Sequence, residues 1–272
     1  MTLLQQTIAR ELLDAADRGA TIASIAARHP EFGWDDAYRA LAAVHAMRAA
    51  RGEVMVGRKI GFTNRNLWPV YGATSPIWAP VYRHTMTDAP GARATVSLAK
   101  AVQPKIEPEI AFCLRSPVPA GLTDPVAVLA HVEWMAPTFE VVHCHFADWR
   151  FTSAESAADA ALHCHLVVGP RVPVEGDLAT LARELQECRV ALYRDNETMD
   201  LGTGANALGH PALALAFLAD IVAQQPYLPP FAAGEIITTG TLTAALPINP
   251  GENWSSGFVG IGLAPLQVTF TD

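Results

Sequence analysis

Pro104-Lys105-Ile106-Glu107-Pro108-Glu109-Ile110-Ala111-Phe112 reads as a β-strand, because side chains alternate between the two faces of extended backbone. Glu107 and Glu109 then share one face, and Ile106, Ile110 and Phe112 share the other. Two neighbouring carboxylates flanked by apolar residues repel each other and lose hydration, so they need a cation, a shared proton or open water. Pro108 predicts an edge strand or a strand start, where a site opens to solvent. A third acid, Glu140, stands in a second apolar run, Pro137-Thr138-Phe139-Glu140-Val141-Val142. Three carboxylates from two strands make a hard oxygen site for Mg²⁺ or Mn²⁺, with water or substrate oxygens completing the octahedron. The competing reading is a solvated edge carrying ordinary surface acids.

Around these runs the chain is a series of short β-like segments broken by proline and glycine, at 54–60, 95–98, 106–114, 138–142, 162–168, 189–193, 235–239 and 266–270. Asp195-Asn196 fits a hairpin turn, and helices fit Leu178–Glu187 and Pro211–Gln224. Strands outnumber helices without alternating strictly with them, which predicts an α+β protein with a mixed or antiparallel sheet rather than a doubly wound one. The first fifty residues differ: they are alanine-rich, with Leu4, Ile8 and Leu12 on one helix face. Gly19 is the expected end of that helix, and Thr21 the expected cap of a short second one stopped by His29-Pro30. A third runs from Trp34-Asp35-Asp36 to Arg51-Gly52. This region reads as a packing or dimerisation layer. The division expected is 1–85, helical and lead-in, and 86–272, a mixed β catalytic core, forming one functional unit.

Half of the 272 residues are hydrophobic and 17% are charged, which excludes a disordered chain and allows a core without disulfide staples. No apolar run reaches the roughly 18 residues of a spanning helix, and the first residues carry acids where a signal peptide is basic and then apolar. Four cysteines form no Cys-x-x-Cys pair. The net charge of −8 argues against nucleic-acid binding. The expectation is a cytoplasmic protein with no nucleic-acid or membrane partner.

Lys59, in Gly57-Arg58-Lys59-Ile60-Gly61-Phe62-Thr63, follows a β-like run and meets a glycine that permits close approach. It suits carboxylate binding or, if desolvated, proton transfer; a surface lysine at a strand end is the alternative. His143 with His145, and His163 with His165, form His-x-His pairs whose members share a face if extended. Zinc or iron ligation is one reading. The preferred one places one or two of them near the site as acid–base or substrate contacts. Gly202-Thr203-Gly204-Ala205-Asn206-Ala207 formally fits a dinucleotide motif, but it follows a hairpin and no acid stands about 20 positions on. That reading fails.

In order, Gly-x-Lys-Ile-Gly-x-Thr (57–63), the Glu-x-Glu strand (103–112), Phe-Glu-Val-Val (139–142) with Asp148-Trp149, the 202–211 segment and Gly-Glu-Ile-Ile-Thr-Thr-Gly-Thr-Leu-Thr (234–243) resemble the 2-keto-4-pentenoate hydratase / 4-oxalocrotonate decarboxylase family of the fumarylacetoacetate hydrolase superfamily. The resemblance spans about residues 1–270. It implies a mixed β-roll core with an N-terminal helical region, a homo-oligomer, bound Mg²⁺ or Mn²⁺, and small 2-oxo acid or enolpyruvate substrates of aromatic catabolism. By the same resemblance Glu107, Glu109 and Glu140 are metal ligands, Lys59 is catalytic and Thr241 helps hold the substrate carboxylate. The implied reaction is hydration of a 2-hydroxy-2,4-dienoate to a 4-hydroxy-2-oxo acid. Decarboxylation of a 2-oxo-3-enedioate, acylpyruvate cleavage and a non-catalytic oxo-acid-binding paralogue are the alternatives. The chain departs from the family where His143 replaces an aspartate, where 75–82 lacks an acid, and where Ala158-Asp159-Ala160-Ala161-Leu162-His163-Cys164 replaces a polar segment. Either His143 and His163 take over proton transfer, with Lys59 or His143 as the shuttle, or the substrate is a different one.

Overall fold

Helix α1 (Leu3–Arg18) begins at Thr2, whose hydroxyl accepts from the Gln5 amide while the Gln5 side chain accepts from the Thr2 amide. This reciprocal cap satisfies two otherwise unpaired donors. The helix stops at Gly19, which takes the left-handed conformation as expected. The short α2 (Ile25–Arg28) is capped by Ser24 and not by Thr21. The reason is tertiary: the Glu155 carboxylate, remote in sequence, accepts from both the Ser24 hydroxyl and the Ala26 amide and fixes the helix start there. Helix α3 (Trp34–Ala50) packs on α1 through Ala9, Leu13, Ala43 and Val44.

The structure, a computed structural model, describes residues 1–225 and 227–272. Beyond α3 the chain continues as β1 (Met55–Gly61), α4 (Trp68–Tyr71), β2 (Ile77–Tyr82), β3 (Met86–Asp88), β4 (Arg93–Ser97) and β5 (Lys105–Leu114). Next come α5 (Pro125–Leu129), β6 (Val132–Val142), α6 (Ser153–Ala158), β7 (His163–Val168), β8 (Val172–Pro173), α7 (Leu178–Glu187), β9 (Arg189–Arg194) and β10 (Glu197–Thr203). The chain ends with α8 (Pro211–Gln224), β11 (Ile236–Thr238), β12 (Leu246–Pro247), β13 (Asn253–Val259) and β14 (Leu266–Thr271). The large sheet has the order β2-β1-β11-β5-β6-β7-β3, and a second sheet the order β10-β9-β13-β14-β4. Both mix parallel and antiparallel pairs, so the fold is the expected α+β one. Residues 55–82, grouped with the helices in the division at 85, supply two strands of the large sheet. Asp195 and Asn196, both at positive φ, close the β9–β10 hairpin, the backbone a tight right-twisted turn requires.

Pro108 is not on an edge: β5 runs through the middle of the large sheet. On one flank it pairs along its length with β6, whereas on the other β11 pairs only as far as Ala111 and β12 begins at Ile106. The Leu242 amide donates to the Pro108 carbonyl across that gap. In a strand the N–H and C=O of one residue point the same way, so the donor proline lacks falls in the break. Ile106, Phe139 and Val141 face a core between the sheets with Trp254, Val268 and Phe270. The opposite face of β5 and β6 carries the glutamates. The apolar stretch Gly204–Gln224 is long enough by composition to suggest a membrane span. Its regular helix, α8, has only 14 residues, about 21 Å against a hydrocarbon layer of about 30 Å, and is largely buried in the core.

Candidate active site

The register of β5 on β6 sets Glu107 directly opposite Glu140, with Glu109 opposite Thr138. Like charges facing each other across a ladder are destabilising, so this register needs a compensating cation. One oxygen from each of Glu107, Glu109 and Glu140 lies within 4.8 Å of the others. Glu109 and Glu140 are fully buried and Glu107 is half-buried; the solvated-edge reading does not hold.

Each carboxylate has a distinct set of partners. Glu109 Oε2 accepts the Gly240 amide at 2.8 Å, while its Oε1 is buried with no hydrogen-bond partner. Glu140 faces His163 Nδ1 at 2.7 Å through Oε1 and Lys59 Nζ at 3.1 Å through Oε2. Lys59, from β1, also donates to the Ala161 carbonyl at 2.9 Å. That carbonyl is delivered by three successive left-handed residues, Ala160, Ala161 and Leu162, a conformation that costs a non-glycine residue about 1–2 kcal/mol. Gly61 leaves room for the lysine: a Cβ there would stand 3.2 Å from Nζ.

These contacts decide the protonation states. Burial, with repulsion from Glu140 and Glu107, pushes Glu109 well above the usual carboxylate range. Burial raises Glu107 to about 7, Lys59 opposing and Glu140 reinforcing the shift. Glu140 is also penalised by burial, but Lys59 and the His163 hydrogen bond outweigh it and hold its pKa below normal. Burial disfavours the Lys59 ammonium, and the three glutamates more than offset that, so its pKa is raised. Three carboxylates against one ammonium leave the cluster short of two positive charges. A hard divalent ion matches this deficit, the oxygen donor set and the orphaned Glu109 oxygen.

The cluster opens into a cleft lined by Lys59, Gly61, Phe62, Thr63, Asn64, Ile77, Glu107, Val142, Trp149, Ala161, Leu162 and Thr241. Thr241 is pinned from both sides, since Gly240 donates to Glu109 and Leu242 donates to the Pro108 carbonyl. Gly240 has φ 84°, and a Cβ there would lie 1.9 Å from Thr63 Oγ1; only glycine fits. The Gly202-to-Asn206 segment buttresses the same loop. Asn206 Nδ2 donates to the Leu242 carbonyl at 2.7 Å, and a Cβ on Gly202 would strike that oxygen at 1.8 Å. The glycines once matched to a dinucleotide motif are there for backbone packing.

The four histidines of the two His-x-His pairs lie in different surroundings. His143 does not line the cleft; it is buried edge-on to His145 with ring centroids 4.3 Å apart, and its Nδ1 has no hydrogen-bond partner. Burial and the neighbouring His145 lower its pKa to about 3, leaving a neutral ring. His145 pairs with Asp159 at 2.6 Å and His165 with Thr87 at 2.9 Å. His163 reaches the cluster, with its Nδ1 on Glu140 and its Nε2 on Thr85 Oγ1 at 3.0 Å. A histidine-ligated metal centre is not formed among the described residues. The reading of single strands missed Thr63, whose buried hydroxyl has no partner, and the lining residues Phe62, Ile77, Leu162 and Trp149. Thr63 and Trp149 carried a sequence signal as named motif residues, whereas Phe62 and Leu162 stood in quoted segments without a role.

A model of the fumarylacetoacetate (FAA) hydrolase C-terminal family matches residues 73–269. A 2-hydroxyhexa-2,4-dienoate hydratase of Comamonas testosteroni is 30% identical over 97% of this chain and 97% of its own. A 4-oxalocrotonate decarboxylase of Pseudomonas sp. (strain CF600) is 30% identical over 86% of this chain and 84% of its own. Among solved structures, the 4-oxalocrotonate decarboxylase from Pseudomonas putida G7, complexed with magnesium and adipate, superposes with a TM-score of 0.87 at 26% identity. That match covers 98% of this chain and 97% of the other.

Proposed function

The chain belongs to the fumarylacetoacetate hydrolase family, and we propose that it is a divalent-metal-dependent hydratase, a lyase that converts a 2-hydroxy-2,4-dienoate, through its 2-oxo-3-enoate tautomer, into a 4-hydroxy-2-oxo acid. The observation that carries this reading is the convergence of three carboxylates, a buried ammonium and Thr241 around one cleft. Glu107, Glu109 and Glu140 would hold Mg²⁺ or Mn²⁺, which supplies Lewis-acid stabilisation of negative charge on an enolate-forming substrate.

The chain's own groups do the rest. Thr241 and one N–H of Lys59 hold the substrate carboxylate and C2 oxygen; an ammonium has three donors, and two are directed at Glu140 and Ala161. With its pKa raised, Lys59 acts first as a donor, stabilising charge and returning a proton to carbon. In ketonisation the enol proton leaves O2 and a proton arrives at C5. In hydration a hydroxyl adds at C4 and a proton at C3, consuming one water. His163 acts through Glu140, holding that carboxylate for the metal as outer hydrogen-bond partners commonly do. The deciding experiment follows dienoate loss in the ultraviolet with Mg²⁺, with Mn²⁺ and with chelator, and identifies products by mass. A product one water heavier, formed only with metal, is expected. Stoichiometric CO₂, or full activity in chelator, overturns the reading.

Metal uptake should release protons. A metal-free Glu107 with its pKa near 7 carries a proton over much of the range below that value, and the ion must displace it. Apparent Mg²⁺ affinity is therefore expected to weaken as pH falls through about 7, approaching about tenfold per pH unit for each proton displaced. Calorimetry at about pH 6.5 in buffers of different ionisation enthalpy measures the release. A buffer-independent enthalpy would show that the carboxylates are already ionised.

A further inference from the structure

We infer that the cleft selects a substrate with one carboxylate and an uncharged, apolar tail, and that Phe62, Val142, Leu162 and Trp149 form the wall that enforces it. This deepens the reading of the metal end given above and rests on it. Strand β1 is parallel to β11, β11 is antiparallel to β5, and β5 is antiparallel to β6. Hence β1 and β6 run in the same direction. Moving from Lys59 to Gly61, and from Glu140 to Val142, is then one step the same way, two residues or about 7 Å along the strands; Phe62 follows Gly61 just past the end of β1. Moving from Glu107 to Lys105 on the opposed β5 goes that way too, and Lys105 meets Trp149 there. The cleft therefore has two tiers. The first holds the carboxylates, Lys59 and Thr241. The second, about a five- or six-carbon chain away, presents Phe62, Val142 and Trp149, with Leu162 beside the carbonyl that holds Lys59.

Among the described lining residues Lys59 is the only cation, and it belongs to the first tier. Thr63 and Asn64 add uncharged polar groups. A second carboxylate in the upper tier would lose its hydration without gaining a counter-charge, a cost that apolar substituents do not bear. At that level Lys105 stands opposite Val142 on the glutamates' face of the sheet, but it is not among the described residues that line the cleft; its Nζ lies over the Trp149 ring, 3.8 Å from the centroid. Trp149 is itself anchored by its indole N–H on the Gln103 carbonyl at 3.0 Å.

The test uses unreactive oxo acids of equal length, so it does not depend on turnover. With Mg²⁺-loaded protein, 2-oxohexanoate is expected to bind at least about thirtyfold more tightly than 2-oxoadipate in calorimetry. Leu162→Arg should narrow or reverse the ratio, and Lys105→Ala should leave it unchanged. Equal or tighter binding of 2-oxoadipate by the native protein overturns the inference. So does a selective loss of 2-oxoadipate affinity in Lys105→Ala, which would make Lys105 the receptor of a second carboxylate. If oxalate binds with Mg²⁺ but the preference is reversed, only this inference fails. If neither oxo acid nor oxalate binds, the reading of the metal end fails and takes the inference with it.

Discussion

Glu109→Gln is expected to lower metal-dependent turnover by about 10²–10³-fold or more, the scale set by removing one preorganised charge-stabilising group from an active site. Its Oε1 is buried with no hydrogen-bond partner, and it also lacks the ion-pair contact that Lys59 Nζ gives Glu140 Oε2 at 3.1 Å, so it has most to gain from an ion. The amide can still accept the Gly240 N–H that positions the Thr241 loop. Folding should therefore survive, and metal-free stability should improve. The sign follows from the raised pKa of Glu109: a carboxyl with its folded pKa above its unfolded one contributes stability below the ordinary carboxylate range, which is lost as pH rises through the folded value. Glutamine lacks that loss. In chelator the variant should melt above the native protein at about pH 8, with the difference shrinking toward about pH 4. Thermal unfolding across that range, with Mg²⁺ titration, checks both halves. Undiminished Mg²⁺ affinity in the variant would remove Glu109 from the ligand set.

Lys59→Met should have the opposite effect on stability. Lys59 is 2% exposed and its ammonium sits 3.1 Å from Glu140, so removing it leaves buried carboxylates without their covalently held counter-charge. Breaking such a buried pair from one side costs about 3–5 kcal/mol. The metal-free variant is expected to be destabilised on that scale, and Mg²⁺ should recover part of the loss by supplying positive charge to the same oxygens. Turnover should nevertheless fall by about 10²–10⁴-fold, because no other described cation lines the cleft to donate to the substrate. Measuring melting temperature and kcat in parallel separates the two roles. Activity within about tenfold of native in a folded Lys59→Met protein would reduce the lysine to a structural counter-ion.

Much of the architecture was legible because it depends on short-range physics. Leu178–Glu187 and Pro211–Gln224 are helices with the bounds their periodicity predicts, and Asp195-Asn196 turns a hairpin because both residues tolerate positive φ. The strands Ile77–Tyr82 and Asn253–Val259 were missed. The first is buried throughout and carries no alternation to read, and the second has too few apolar residues to stand out. Ser24 displaced Thr21 as a cap because of a carboxylate 131 residues away, and Pro108 sits in a central strand because the neighbouring ladder happens to break beside it.

The sequence by itself determined which side chains were available and which share a face: Glu107 with Glu109, an apolar strand around Glu140, a lysine next to a glycine. Backbone periodicity acts over a few residues, so those relations need no fold. Only the tertiary structure decided that Glu140 lies opposite Glu107, that Lys59 neutralises it, and that His163 supports the cluster while His143 stays away. Each of these depends on strand register and on contacts between distant segments, where a shift of one residue would turn every side chain to the other face.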